Sequence, residues 1–509
     1  MSTILQAFLI LVPLYLVVKY VYRRFFSPLT KFPGPAFAAC TKLYEAYHVL
    51  YKNDWLVNLE ALHQQYGPVV RIGPHELHFN DHEFCLTHHK RADLAKCTSY
   101  YGLLNTLLGG LSSPHSHVER KSIIQPLFSG GTLSRFSATT LNSHLDSLHD
   151  RFLDIAGPGA KGYSSIVKPV NATHFLWAFT NDVMVSYLLD EDMGYLRDPD
   201  LTKVHDSLRA FSAIELATVL RTMPIARQAF DIFPSLRTFS PLGWLDALVM
   251  EHLGPLMKNQ KDPEGHHEKD RGSVLARLFN QLGNDQQIVT QESAQALFIG
   301  NESLLSNLTF LLHNMMQNPE CIQKLRAELD TLDVGTYGHR IWRDPRVVRL
   351  PYLDALCRES TRLSSPGWHR QPRMAPEPIE YRGTVIPPKT SMSFTLHMLE
   401  HDANLYPEPN SFKPDRWLGN SDEAQKARAS SVTFGTGTRT CLGQFIARQV
   451  LRKTLACLVY NFNFSFAPEG EDEEAAQKAG EFKYLTTYPR KGYEGFLHVR
   501  LTPRFQNVC

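Results

Sequence analysis

A stretch of almost uniform apolarity opens the chain: Ile4 to Val18 carries one polar side chain, Gln6, before Lys19, Arg23 and Arg24. As a helix this run extends over ~22 Å, and continuing it through Tyr22 with Lys19 snorkelling brings it near the span of a bilayer core. Residues 1–31 therefore read as a single membrane anchor helix. The positive charges after the run place the remainder on the cytoplasmic side. A cleaved signal peptide needs basic residues ahead of the apolar run and a small-residue cleavage site, and neither is present.

The pattern then changes. Phe32-Pro-Gly-Pro35 cannot continue a helix, because both prolines lack a donor, and it reads as a stiff hinge onto a catalytic body over residues 32–509. In VVRIGPHELHF, Val69 to Phe79, short alternating runs around Gly73-Pro74 predict a small hairpin. Most later segments repeat with helical period, so the body reads as mainly α with a small β portion. Lys258 to Arg271 and Glu469 to Glu474 hold too few apolar residues to be buried and read as solvated loops. No internal repeat is present.

One segment stands out by length. Ile288 to Gln317 contains no proline and one glycine, Gly300, before Asn318-Pro319 stops it, which predicts a single helix of ~45 Å. Gly300-Asn-Glu-Ser303 interrupts its apolar middle, between Leu297, Phe298 and Ile299 on one side and Leu304 and Leu305 on the other. An acid beside an alcohol is costly there without purpose. Periodicity alone leaves a solvent-facing Glu302 as an equal reading.

Composition narrows the function. In 509 residues, 53 Lys and Arg stand against 51 Asp and Glu, and a net charge of +2 gives no field of the sort a nucleic-acid binder uses. Eight cysteines are scattered without paired spacing, which favours reduced thiols. Sequons at Asn171, Asn301, Asn307 and Asn463 read as chance matches on a cytoplasmic body.

Candidate chemistry centres on FGTGTRTCLG, Phe434 to Gly443, where Cys441 sits among three glycines and Arg439. Glycines let backbone N–H groups approach a sulfur where side chains would collide, so Cys441 is a candidate thiolate ligand for iron. Glu359 and Arg362, three apart in LCRESTRL, share a helix face. Arg373 follows in QPRMAP and Arg416 in PDRW. A reading of another class comes from His397-Met-Leu-Glu400-His401, which spells the inverted zinc-protease motif. That motif needs a helix, whereas Val385 to Phe394 upstream reads as strand and turn.

From about Phe32 to Pro503 these residues resemble the cytochrome P-450 family of haem-thiolate monooxygenases. Phe434, Gly437, Arg439, Cys441 and Gly443 fit the family's haem loop, and Glu359, Arg362 and Arg416 its structural triad. The resemblance implies the cytochrome P-450 fold and haem b. Cys441 would be the axial iron ligand, with Arg439 and Arg373 holding propionates by charge-assisted bonds. Two departures stand out. In HVERKSIIQPLFS, His117 and Lys121 replace the family's tryptophan and arginine, and both can still donate to a carboxylate. In the long helix, Gly300 would open the backbone for dioxygen and Glu302 with Ser303 would relay protons, in place of the usual aspartate and threonine.

The style of the chain is similar to microsomal enzymes of fungal secondary metabolism, including trichodiene-oxygenase-like ones. That likeness implies an endoplasmic reticulum location, a single pass and a hydrophobic substrate, with terpenoids favoured over polyketides or alkaloids. The pocket would be lined by Tyr100–Ser113, Phe211–Arg221, Leu297–Ser303, Pro366–Gln371 and Thr486–Tyr488. No dinucleotide or flavin fingerprint occurs, so electrons would come from NADPH through a cytochrome P-450 reductase, with cytochrome b5 as a further donor. Arg120, Arg448, Arg452 and Lys453 would form its docking face. A haem-thiolate isomerase or dehydratase, independent of O2 and NADPH, is the alternative raised by the altered Glu302-Ser303-Leu304. A catalytically silent haem-binding protein is the third.

Overall fold

The computed structural model describes residues 2–52, 54–101, 107–156, 170–198, 247, 249–251, 274–282, 285–332, 335–364, 370–466 and 497–505. Phe211–Arg221, Thr486–Tyr488, the two polar loops, and parts of Tyr100–Ser113 and Pro366–Gln371 lie outside these residues. The described body is mainly helical with small sheets, as the periodicity predicts.

Helix α1, Ser2–Val21, continues through a π-turn at Tyr22–Phe26. Among the described residues, no helix is long and apolar enough to cross a membrane. The Pro-Gly-Pro segment behind it is held against the body by backbone contacts. Strand β1, Val69–Gly73, brings the Arg71 N–H to Pro33 O at 2.7 Å. A Cβ on Gly34, at φ 158°, would fall 2.4 Å from Arg71 O, so only glycine permits this approach. The buried Arg71 guanidinium then donates to Arg23 O and Pro74 O, each at 3.0 Å, closing the junction.

The predicted hairpin forms. β1 pairs antiparallel with β2, Glu76–Phe79, in a five-stranded sheet completed by β3 (Ala95–Lys96), β4 (Arg373–Met374) and β5 (Ser391–Ser393). Its order is β1-β2-β5-β4-β3, and this places Lys96 directly opposite Arg373. Two residues widely separated in sequence thus meet at one edge.

The long helix is a single element, Gln286–Gln317, begun where Asp285 accepts the Ile288 N–H at 3.1 Å. It is flanked by α2 (Pro114–Ile124), α3 (Thr140–Ala156) and α4 (Ala172–Leu189) before it in the chain, which makes it α5. After it come α6 (Pro351–Ser364), the single turn α7 (Leu396–Glu400) and α8 (Gln444–Asn461). Leu176 and Phe179 of α4, Leu308 and Leu311 of α5, Leu353 and Leu356 of α6, and Val450 and Leu455 of α8 are all buried in one core. Asn301 and Asn307 are buried in it as well, Asn307 Oδ1 accepting from Ser360 Oγ at 2.8 Å, so neither sequon is an acceptor.

Candidate active site

The residues before the cysteine are held by three charged side chains. Glu359 and Arg362 lie on one face of α6, fully buried, with Arg362 Nε 2.9 Å from Glu359 Oε2 and Nη2 2.8 Å from Oε1. The same carboxylate accepts Arg416 Nε at 3.0 Å, Trp417 Nε1 at 2.9 Å and the Lys413 N–H at 3.0 Å. Arg362 also donates to Glu400 O at 2.7 Å and Pro409 O at 2.8 Å. The segment from Glu400 to Trp417 is thereby nailed to α6 through backbone carbonyls that would otherwise be unsatisfied.

The loop that follows needs its glycines. Gly435 and Gly437 have φ of 71° and 67°, and a Cβ on Gly437 would stand 2.9 Å from His89 O. The loop returns through the Cys441 N–H to Phe434 O at 2.9 Å, and Arg448 of α8 stacks over the Phe434 ring at 5.2 Å. The thiol therefore sits at the N-terminus of α8, where the N–H groups of Gly443 and Gln444 favour a thiolate. Of the seven described cysteines Cys441 alone is exposed. Yet enclosing protein still raises its pKa. The residue is thus exposed while the surrounding protein still desolvates its thiol.

Beside it lies a cluster of cations. Arg373, Lys96, Arg439, and His117 and Lys121 from α2 gather here, and burial together with the neighbouring cations disfavours the charged forms of Lys96, His117 and Arg439. Burial and then Arg373 pull Arg439 down to about 10. Burial and then Arg439 take His117 down to about 3, so its ring is neutral. Lys96 is lowered well below its usual value by burial, Arg373 and Arg439. Arg439 Nη1 and Nη2 and His117 Nδ1 are buried without hydrogen-bond partners. The others find only neutral ones: Arg373 Nη1 donates to Tyr101 OH at 3.2 Å, Lys121 Nζ to Thr438 O at 2.6 Å, and Lys96 Nζ to Gly109 O. No carboxylate is among the groups that shift Arg439, His117 or Lys96. Buried charges without counter-charges are expensive, so the cluster is built for an anionic group that arrives with a ligand. The two propionates of a haem fit it. Lys96, a member absent from the sequence reading, enters through the cross-strand pairing with Arg373.

On α5 the polar interruption divides. Asn301 is buried and bonded to Thr180 of α4, and the place of Gly300's missing side chain is taken by Met184, whose Cε lies 2.3 Å from where a Cβ would stand. Met184 of α4 thus packs directly against that glycine. Ile299, half exposed, and Ser303, partly exposed, share another face. Ser303 Oγ donates to Gly300 O at 3.3 Å, and Glu302 beside it is partly exposed.

Residues 46–489 match the family profile described as Cytochrome P450. The chain belongs to the cytochrome P450 family. It is 28% identical over 491 residues to the cytochrome P450 monooxygenase sdnE of Sordaria araneosa, covering 91% of this chain and 92% of the relative. Similarity to the fusicoccadiene C-8 hydroxylase of Alternaria brassicicola is 28% over 479 residues, with 89% and 88% covered. The tryptophan 6-hydroxylase fscE of Fusarium equiseti is 27% identical over 470 residues, with 87% of each chain covered. This P450 is accordingly an oxidoreductase of monooxygenase type, with fungal relatives, and haem is the family's cofactor.

Several surface readings change. Of the four residues expected on a cationic docking face of this P450, Lys453 is buried and donates to Asn142 Oδ1 at 2.8 Å and Ser137 O at 3.1 Å. Arg120 is paired with the buried Glu292 at 3.0 Å, and Arg452 with Asp354. Arg448 is spent on Phe434. The zinc reading also fails on geometry. His397 and His401 do share a helical turn, but their rings stack with centroids 3.9 Å apart, whereas ligand lone pairs must converge in the ring planes. Glu400 turns inward to the Val432 N–H. A recess of about 780 Å³ includes both histidines with Glu60, His63 and His313, and no member of the cationic cluster lines it. His144, Asp182 and Asp192 also lie close together, but their donors and acceptors are engaged in seating one loop: Asp182 accepts Tyr195 N–H at 2.9 Å and Asp192 pairs with Arg197 at 2.9 Å.

Burial pushes the Glu400 carboxyl from 4.5 up to about 7. A carboxyl raised on folding stabilises below its unfolded pKa and loses that stabilisation as pH rises through the folded value. The protein is therefore expected to lose about 3 kcal/mol from this group between pH 4.5 and 7. Glu400→Gln should flatten that slope in urea titrations. An unchanged slope would assign the pH dependence elsewhere.

Proposed function

We propose that this P450 inserts one oxygen atom from O2 into a hydrophobic small molecule of fungal secondary metabolism, with haem b bound through Cys441. The observation that carries the reading is the exposed Cys441 beside a cluster of basic side chains, Arg373, Arg439, Lys96, Lys121 and the neutral His117, in which no carboxylate offsets Arg439, His117 or Lys96. Thiolate-ligated haem, when bound, supplies dioxygen activation and the oxidising equivalent. The protein's part follows from its own residues. Cys441 is held by its loop, through Phe434 O, and by the helix dipole, and Arg373, Arg439, Lys96, His117 and Lys121 would bind the propionate carboxylates. Glu302 and Ser303 move protons toward the space that Ile299 keeps apolar.

Electrons are supplied by NADPH through a reductase, with cytochrome b5 as a second donor. Terpenoids are favoured as substrates, supported by the fusicoccadiene hydroxylation named for one relative. Residues 1–31 anchor the protein in the endoplasmic reticulum membrane with the body cytoplasmic. Exposed Phe25, Phe26, Phe37 and Tyr51, at 62%, 71%, 53% and 79%, extend the apolar surface of α1 onto the body and support that anchor.

The reading is tested by product formation with and without NADPH and reductase; turnover without NADPH would instead favour the isomerase or dehydratase suggested by Glu302-Ser303-Leu304. Ser303→Ala is expected to divert most reducing equivalents into peroxide. Unchanged coupling of electrons to product would remove Ser303 from proton delivery.

A further inference from the structure

One buried carboxylate joins both walls of the site, and nothing so far uses it. Glu292 lies on α5 two turns before Gly300, 6% exposed. Its Oε1 accepts the Leu108 N–H at 2.8 Å and Arg120 Nη1 at 3.0 Å. Arg120 stands on α2 between His117 and Lys121, so the same oxygen holds the helix that carries two members of the cationic cluster. The segment over residues 107–111 is gripped from its other side too. Gly109 O accepts from Lys96 Nζ, and Ser112 O accepts the Lys96 N–H at 3.1 Å. A Cβ on Gly109 would fall 2.8 Å from Oε1 of Gln295, one turn after Glu292, so the segment lies flat on α5. It therefore spans from the propionate cluster to the helix bearing Ile299 and Ser303, and walls the space between them.

We propose that Glu292 is a positioning residue that latches residues 107–111 and α2 to α5, and so governs the admission of bulky ligands to the haem. The proposal rests on the haem-thiolate reading. The carboxylate suits the task because it takes a backbone N–H from one element and a guanidinium from another, and removing it leaves two part-buried donors without this acceptor. Carboxamide at this position keeps the Leu108 bond and loses the charge. A methyl loses both.

The test uses the full-length haem-loaded protein and two probes that bind iron through nitrogen: imidazole, which is small, and clotrimazole, which is bulky. Binding rates are read from the shift of the Soret band. Glu292→Ala should raise the ratio of the clotrimazole rate to the imidazole rate by ~10-fold, the equivalent of one lost charge-assisted bond. Glu292→Gln and Arg120→Gln should raise it by equal and smaller factors, because each deletes the same ion pair. A general loosening of the fold would speed both probes alike and leave the ratio unmoved. A ratio within twofold of the parent in Glu292→Ala and Arg120→Gln overturns the latch, as does a larger effect of Arg120→Gln than of Glu292→Ala. Hydrogen exchange in the parent is independent of any variant's folding: the Leu108 amide should be strongly protected, and exchange at the unprotected rate also overturns the latch. If the parent shows no Soret response to either azole, the haem reading fails, while Leu108 protection still decides whether the tether exists.

Discussion

Glu359→Gln is expected to destabilise the protein by about 3–5 kcal/mol, the cost of leaving buried charges without their partner. The side chain is fully buried and collects five donors from Arg362, Arg416, Trp417 and the backbone of Lys413. An amide can accept from some of them but must point its own N–H₂ at a guanidinium, and it removes the charge that two arginines oppose. Because those arginines hold the carbonyls of Glu400, Pro407, Glu408 and Pro409, the damage extends along the segment that delivers the cysteine loop. The measurable result is a large fall in the urea midpoint together with loss of bound haem. A loss below about 1 kcal/mol, the range of a surface pair, would show that the network is dispensable.

Cys441→Ser is the second large effect. Six other described thiols are buried, and burial pushes two of them, Cys85 and Cys357, up to about 12, where no thiolate is available at neutral pH. None of the six is placed as Cys441 is, exposed at the N-terminus of α8. Serine keeps the loop's shape, since the Cys441 backbone N–H still reaches Phe434 O, but offers a weakly acidic hydroxyl in place of a soft ligand. Monooxygenase activity should fall to background while the urea midpoint of the haem-free protein stays within about 1 kcal/mol of the parent. Retained activity would remove Cys441 from the chemistry.

What could be seen in the sequence was whatever is written in local spacing. The cysteine loop is legible because positive φ at Gly435 and Gly437 restricts which residues can stand there. The triad is legible because Glu359 and Arg362 share a helix face, and the long helix because nothing breaks it before Asn318-Pro319. Lys96 was invisible because it reaches Arg373 through strand register across nearly three hundred positions, and sheet register is a tertiary property. Glu292 was passed over for the same reason: on a helix of mixed polarity a lone acid looks solvated until its partners, Leu108 and Arg120, are known. The docking face failed in the opposite direction. Arg120, Arg452 and Lys453 look like a surface stripe in the sequence, but α2 and α8 turn them onto Glu292, Asp354 and Asn142. Within the polar run Gly300 to Ser303, the contacts of Asn301 and Gly300 with α4 were likewise invisible, because they depend on how two helices pack.

The central claim is that Cys441 is the proximal ligand of a bound haem, and the optical spectrum of the reduced full-length protein with carbon monoxide tests it most directly. The account predicts the red-shifted Soret band of thiolate ligation in the parent and its loss in Cys441→Ser. A parent that binds haem but gives the unshifted band of a nitrogen or neutral ligand would contradict it.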